Sequence, residues 1–230
     1  MDSSIVNRFK EEAAESAVRQ LENGMVVGLG SGSTATFAVA AIGKRVRDGL
    51  RIVGIPTSEK TAEQARQLNI PLTTLGENPA IDIAIDGADE VETGTLNLIK
   101  GGGGNQLREK IVAAASARFV VIVDESKVVS RLGTRFPVPV EVIRFGWQAT
   151  AKRLGSLRCN PKLRMRADGQ IFVTDDNNYI LDCAYGLISS AAELQAQLDS
   201  VVGVVEHGLF IGMARQAVVA GNDGVRFLNA

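Results

Sequence analysis

The sequence contains a single histidine, His207, in 230 residues. A metal site built from several histidines is therefore excluded, and a Ser-His-Asp triad would have to use this one side chain. We expect His207 to make a structural hydrogen bond instead of contacting a substrate. Only two cysteines are present, Cys159 and Cys183, which is too few for a disulfide framework or a cysteine metal cluster. We expect both to be buried or idle thiols.

Strong charge and long apolar runs are also missing. The formal net charge is −1, which argues against an electrostatic surface for nucleic acid. No apolar run approaches the ~20 residues that span a bilayer. The start of the chain leads into charged residues instead of the apolar core of a signal peptide. We therefore expect a cytoplasmic protein with neither a nucleic-acid nor a membrane partner.

The first half of the sequence alternates between short apolar runs and segments with helical spacing. This alternation predicts an α/β fold with a parallel sheet and right-handed crossovers. Strands are predicted at 25–29, 51–55, 81–85 and 119–123, and helices at 4–22, 34–46 and 59–67.

The composition changes near residue 131. Residues 136–142 are predicted to form an extended linker or an edge strand, because the prolines in this segment cannot donate to a sheet. Residues 157–182 show short strands and hairpin turns, and a helix is predicted at 191–199. We therefore divide the chain into an α/β domain, 1–130 with 206–230, and a small α+β domain, 131–205. Segments 213–219 and 225–228 are expected to return as closing strands.

A Gly/Ser/Thr turn follows the first predicted strand and opens an alanine-rich helix. Its residues Ser31, Gly32, Ser33 and Thr34 place backbone N–H groups, hydroxyls and a helix dipole together, which favours a phosphate. The turn lacks both the GxGxxG fingerprint and the Walker lysine, so neither a dinucleotide nor ATP is indicated. The structural alternative is a capped helix after a tight turn.

Two further segments carry charged residues beside glycines. Asp86 and Asp89 follow the strand at 81–85, Lys100 precedes four glycines, and Glu109 lies near the start of a helix. Because ligands bind at the carboxyl ends of strands in open α/β sheets, this set suggests proton transfer on a hydroxylated substrate. Taken one at a time, the aspartates could be turn residues, the glycines a flexible loop, and Glu109 a solvated charge.

Taken together, these segments resemble the type A ribose-5-phosphate isomerases. The resemblance covers nearly the whole chain in the same order, with Asn105-Gln106 as a departure where the family more often has small or apolar residues. It rests on Gly28-Leu29-Gly30-Ser31-Gly32-Ser33-Thr34-Ala35, Asp86-Gly87-Ala88-Asp89-Glu90, Lys100-Gly101-Gly102-Gly103, Arg108-Glu109-Lys110, Asp124-Glu125-Ser126-Lys127 and Gly203-Val204-Val205-Glu206-His207-Gly208-Leu209-Phe210.

The resemblance implies an aldose–ketose isomerase of the pentose phosphate pathway that converts ribose 5-phosphate to ribulose 5-phosphate through an enediolate. Glu109 would be the base that moves a proton between C2 and C1, and Lys100 would stabilise the negative charge on the enediolate. Asp86 and Asp89 would bind sugar hydroxyls and help to open the ring. Residues expected to hold the substrate are Ser31, Gly32, Ser33, Thr34, Gly87, Ala88, Gly101, Gly102, Gly103 and Lys127.

The same resemblance implies no metal and no organic cofactor, since a carboxylate and a lysine supply base and electrostatic stabilisation. It also implies a Rossmann-like sheet with a smaller α+β domain, assembled as a homodimer or a tetramer. Neighbouring carboxylates would raise the pKa of Glu109 and lysines would lower it, so the sequence leaves the net direction open. Two alternatives remain: a non-catalytic sugar-phosphate sensor, and a related sugar-phosphate isomerase or deaminase.

Overall fold

The computed structural model of the chain describes residues 3–230, in which helices and strands alternate through the first half. The α-helices of this part are α1 (Ser3–Val18), α2 (Ala35–Arg47), α3 (Glu59–Gln67), α4 (Gln106–Ala114), α5 (Trp147–Gly155) and α6 (Ala191–Asp199). A single-turn 3₁₀ helix covers Glu125–Lys127. Within residues 3–230, none of the helices has both the length and the apolar character needed to cross a bilayer.

The strands of the described chain form three sheets. In chain order they are β1 (Val26–Leu29), β2 (Val53–Pro56), β3 (Ile81–Asp86), β4 (Glu90–Glu92), β5 (Leu98–Ile99), β6 (Ser116–Asp124), β7 (Val128–Val129), β8 (Val138–Val142), β9 (Asn160–Leu163), β10 (Tyr179–Ala184), β11 (Val204–His207), β12 (Leu209–Phe210), β13 (Gln216–Gly221) and β14 (Gly224–Asn229).

The central sheet has six strands in the order β14-β13-β6-β3-β1-β2. All neighbouring pairs are parallel except the β13–β14 hairpin at one edge. Alternate residues of β3 pack on opposite faces: Ile83 and Ile85 join one apolar cluster and Ala84 the other. A parallel sheet covered on both faces produces continuous apolar runs. The α/β prediction is therefore confirmed.

Helix α1 is shorter than the helical pattern predicts. Phe9, Ala13 and Ala17 on its apolar side are fully buried, but the helix ends at Val18 instead of residue 22. The guanidinium of Arg45 on α2 donates to the Val18 carbonyl at 2.6 Å and the Leu21 carbonyl at 3.0 Å. These bonds satisfy carbonyl groups at the helix end and allow the chain to turn there.

The second sheet is antiparallel, in the order β11-β8-β10-β9. The prediction that 136–142 is a linker or an edge strand is wrong, because β8 lies between two partners. Pro139 is tolerated there because its carbonyl accepts from the Gly208 amide at 2.7 Å, beyond the last residue of β11. In an antiparallel strand the N–H and C=O of a residue point the same way, so the missing N–H faces away from β10.

The third sheet consists of strands of two or three residues, in the order β12-β5-β4-β7. The sequence did not predict it, and helix α5 was also missed. The sheet matters for the site because the Lys100 amide, directly after β5, donates to the Gly208 carbonyl at 2.8 Å. The division into the domains 1–130 with 206–230 and 131–205 stays a prediction.

Candidate active site

Three charged side chains meet inside the protein beyond the carboxyl end of β3. Asp86 is the last residue of β3, Lys100 directly follows β5, and Glu109 lies in the first turn of α4. Each is no more than 5% exposed. Burying one acidic or basic side chain without a partner is strongly unfavourable, so the three must be considered as one group.

Lys100 is the centre of this group. Its Nζ lies 3.0 Å from Asp86 Oδ2 and 3.1 Å from Glu109 Oε2, and it donates to the Gly87 carbonyl. The ring of Phe210 lies 5.5 Å from the same nitrogen. One ammonium therefore faces two carboxylates.

Burial is the main cause of the pKa shifts in this group. It raises the pKa of Glu109 to about 8; the nearby Asp86 charge adds to the rise, and Lys100 opposes it. The pKa of Asp86 is also raised by burial, against the opposing effect of Lys100. Burial lowers the pKa of Lys100, but Asp86 and Glu109 outweigh this effect and the net direction is upward. The direction that the sequence left open for Glu109 is upward.

The second aspartate, Asp89, is held by the glycine loop after Lys100. The Gly102 amide donates to Asp89 Oδ2 at 2.7 Å. A Cβ at residue 102 would lie 2.7 Å from Asp89 Oδ1, and Gly101 has a φ of +101°. Glycine is required at both positions, since a side chain would displace Asp89 or strain the turn.

The Gly/Ser/Thr turn lies between β1 and α2. The Ser31 amide donates to Asp86 Oδ1 at 3.0 Å, and its hydroxyl lies 2.7 Å from that of Thr57. Ser31 thus ties the turn to the charged group, and its hydroxyl faces other hydroxyls. Thr34 occupies the N-cap of α2 without a side-chain capping bond, so the capped-helix alternative does not explain its hydroxyl.

These segments enclose a pocket of about 270 Å³. The residues predicted from the sequence lie together there, except Asp86, which pairs with Lys100 but is not among the lining residues. The pocket is lined by Ser31, Gly32, Ser33, Thr34, Gly87, Ala88, Asp89, Lys100, Gly101, Gly102, Gly103, Glu109, Lys127 and Phe136.

Two residues near the pocket were missed by the sequence reasoning. Phe136 lines it, and the Lys127 Nζ lies 5.8 Å from its ring centroid. Lys10 of α1 donates from Nζ to the Ser33 hydroxyl at 3.0 Å. Neither residue stands in a motif, so only the fold brings them to the site.

Asn105-Gln106, the departure from the family pattern, lies beneath the glycine loop. Gln106 is fully buried, and its Nε2 is 3.4 Å from Glu141 Oε2. Its Oε1 would lie 2.8 Å from a Cβ at residue 101, so the long side chain supports the loop from below.

His207 lies outside the residues that line the pocket. Its Nδ1 accepts from the Leu209 amide at 3.2 Å, and its Nε2 is 3.1 Å from Asp199 Oδ1. Burial lowers the pKa of His207 to about 4, helped by the nearby Lys110 charge. The imidazole is neutral and makes structural hydrogen bonds. Asp199, Glu206 and His207 are close enough to hold a metal ion, but the Lys110 ammonium lies between 2.5 and 3.3 Å from Glu206 and His207 and opposes a cation.

Comparisons with known proteins agree on one family. A family model described as ribose 5-phosphate isomerase A (phosphoriboisomerase A) matches residues 53–224. A ribose-5-phosphate isomerase A of Synechococcus sp. (strain JA-3-3Ab) is 56% identical over 223 residues, which are 96% of this chain and 97% of the relative. One from Gloeobacter violaceus is 56% identical over 220 residues, 96% of this chain and 95% of the relative.

Solved structures give the same result. The ribose 5-phosphate isomerase A of Methanocaldococcus jannaschii has a TM-score of 0.93 and 41% identity, with 97% of this chain and 99% of that chain covered. A D-ribose-5-phosphate isomerase in complex with phospho-erythronic acid has a TM-score of 0.95 and 36% identity, with 100% of both chains covered.

Proposed function

The chain belongs to the ribose 5-phosphate isomerase A family and interconverts ribose 5-phosphate and ribulose 5-phosphate, and we propose that Glu109 is the base of this reaction. The observation that carries the proposal is the buried group of Glu109, Lys100 and Asp86, in which Glu109 and Lys100 also line the pocket. The relatives are isomerases, so neither the sensor nor the deaminase alternative is favoured.

A base for this reaction must take a proton from carbon next to a carbonyl group. Burial raises the pKa of Glu109 to about 8, which makes its carboxylate a stronger base than an exposed glutamate. Glu109 takes the C2 proton of the open-chain aldose and then delivers a proton to C1, and the proton on its carboxyl can exchange with solvent between the two steps. A second proton passes from the C2 hydroxyl to the C1 oxygen, so the substrate and product have the same atoms.

Negative charge develops on oxygen in the enediolate. The Lys100 ammonium is held in place before the reaction by Asp86 and the Gly87 carbonyl, so it stabilises that charge without reorganisation. Asp86 accepts from the Ser31 and Gly87 amides as well as facing Lys100. These contacts favour Asp86 as the residue that orients Lys100, and leave Asp89 as the carboxylate for the sugar hydroxyls.

Other residues of the pocket lining are suited to the phosphate. The amino end of α2, the Thr34 hydroxyl and Lys127 lie there, and Lys10 adds a second ammonium at Ser33. Helix amino ends and lysines both favour phosphate. The similar isomerase is in complex with phospho-erythronic acid, a phosphorylated ligand, which supports a phosphate site in this chain.

Thr34→Ala is expected to weaken binding of ribose 5-phosphate and to change little for unphosphorylated ribose, itself expected to be a poor substrate. Lys127→Ala should act the same way, by about 1–3 kcal/mol if a charge-assisted hydrogen bond is lost. Steady-state kinetics with both sugars measure the effect. Thr93→Ala, at an exposed position directly after β4 and outside the residues that line this pocket, is the control. Equal losses for both sugars would mean that the turn is only structural.

The dependence of kcat/KM on pH should show the pH range in which Glu109 loses its proton. Because the deprotonated form is the base, kcat/KM should rise with pH and level off above about 8, the raised pKa of Glu109. Asp86→Asn removes a charge that raises this pKa, so the rising limb should move to lower pH. A flat profile between pH 6 and 9 would contradict the assignment of the raised pKa to the base.

Exhaustive dialysis against a chelator is expected to leave turnover unchanged, because Glu109 and Lys100 supply the base and the electrostatic stabilisation. Among the described residues, the set of metal-ligand types formed by Asp199, Glu206 and His207 faces the Lys110 ammonium and lies outside the pocket lining. Turnover is measured before and after dialysis. Activity that is lost and then restored by a divalent ion would contradict this mechanism.

A homodimer or tetramer, a cytoplasmic location and the two-domain division remain proposals. Each is inferred from the family pattern or from the composition of the sequence.

A further inference from the structure

We propose that Arg164 is a positioning residue for the reaction and that it fixes the peptide between Gly101 and Gly102. Arg164 directly follows β9 of the antiparallel sheet. It lies more than 60 residues after the glycine loop in the chain. Its Nη1 donates to the Gly101 carbonyl at 2.8 Å and the Gly102 carbonyl at 3.2 Å.

The guanidinium is itself held firmly. Asp182 on β10 accepts from Arg164 Nε at 3.0 Å and pairs with Nη2, which is a two-point contact. The Phe172 ring centroid lies 5.8 Å from the guanidinium carbon. The Arg164 backbone is bonded as well, from its amide to the Ile180 carbonyl at 2.9 Å. Because the Asp182 carboxylate holds the guanidinium and the backbone of Arg164 is also hydrogen-bonded, the side chain is a rigid donor.

One planar peptide connects this contact to the pocket. The Gly101 carbonyl and the Gly102 amide belong to the same trans peptide and point in opposite directions. Arg164 holds the carbonyl end, while the amide end donates to Asp89 Oδ2 at 2.7 Å. A rotation of this peptide would break both bonds, and two glycines offer little resistance to such a rotation.

Arg164 therefore sets the direction of an amide that orients the sugar-binding carboxylate. A cation at the carbonyl also polarises the peptide and strengthens its N–H as a donor. Arg164 lies outside the pocket lining, so it acts only through the loop. This inference rests on the proposed role of Asp89 at the sugar hydroxyls and on a phosphate site made of other residues.

The test compares two probes, phospho-erythronic acid and inorganic phosphate, by calorimetry. Arg164→Met should weaken the binding of phospho-erythronic acid by about 10- to 100-fold, which is the loss expected for charge-assisted hydrogen bonds. Its affinity for inorganic phosphate should be unchanged. Arg164→Lys keeps the charge but loses the two-point geometry, so its loss should be intermediate. Asp182→Asn should act in the same direction. Exchange of the Gly102 amide with solvent should become faster in all three variants.

Arg153→Met, an exposed arginine on α5, is the matched control and should behave as the native protein. Misfolding would reduce the binding-competent fraction for both probes, so the ratio of the two affinities separates positioning from general damage. If Arg164→Met does not fold, Arg164→Lys and Asp182→Asn decide the question. An unchanged ratio in the folded variants would overturn the inference. A native protein that binds neither probe would instead contradict the proposed function.

Discussion

Glu109→Gln is expected to reduce turnover by about 10²–10⁴-fold, the usual contribution of a general base. The glutamine keeps the size of the side chain but has no basic carboxylate. Substrate affinity should be retained, because the proposed phosphate and hydroxyl contacts come from other residues. Steady-state kinetics give turnover, and calorimetry with phospho-erythronic acid gives the affinity.

Glu15→Gln is the matched control for this variant. It makes the same chemical change at an exposed position of α1 and should leave turnover unchanged. Native turnover in Glu109→Gln would mean that the base is Asp89 or Asp86. Of these two, Asp89 lines the pocket, whereas the oxygens of Asp86 are occupied by Lys100 and two amides.

Lys100→Met is the variant for which we expect a large loss of both activity and stability. Loss of the charge that we propose stabilises the enediolate should reduce turnover by about 10²–10³-fold. Asp86 and Glu109 would also be left buried without their cation, which typically costs about 3–5 kcal/mol in the free energy of unfolding. Chemical denaturation measures the second effect and steady-state kinetics the first.

A double variant separates these two effects. Adding Asp86→Asn to Lys100→Met removes one of the two uncompensated carboxylates, so stability should partly recover while turnover stays low. Lys152→Met, at an exposed position of α5, controls for loss of a surface lysine. Native turnover in Lys100→Met would contradict the electrostatic role of Lys100.

The parts of the site whose positions follow from the sequence pattern are those attached to the central sheet. Asp86 ends β3 and the turn at Ser31–Thr34 follows β1; the apolar runs of these strands are clear because the sheet is buried on both faces. The carboxyl ends of neighbouring parallel strands lie at one edge. For this reason, segments separated by 55 residues meet, as the Ser31–Asp86 bond shows.

The positions that the sequence could not predict depend on short or distant elements, although Lys100 itself was predicted as a site residue. Lys100 is positioned by strands of two residues, which are too short to show any periodicity. Arg164 and Phe136 reach the site from segments without a motif. The direction of the Glu109 pKa shift depends on burial and on distances to Asp86 and Lys100, and no residue spacing provides these.

Solvent-deuterium incorporation tests the role of Glu109 most directly. In heavy water, the native protein should place deuterium at C1 of the ribulose 5-phosphate that it forms, because the proton on the Glu109 carboxyl exchanges with solvent before it is returned. In Glu109→Gln the rate of incorporation should fall together with turnover. Incorporation at the native rate in Glu109→Gln would contradict the assignment of Glu109 as the base.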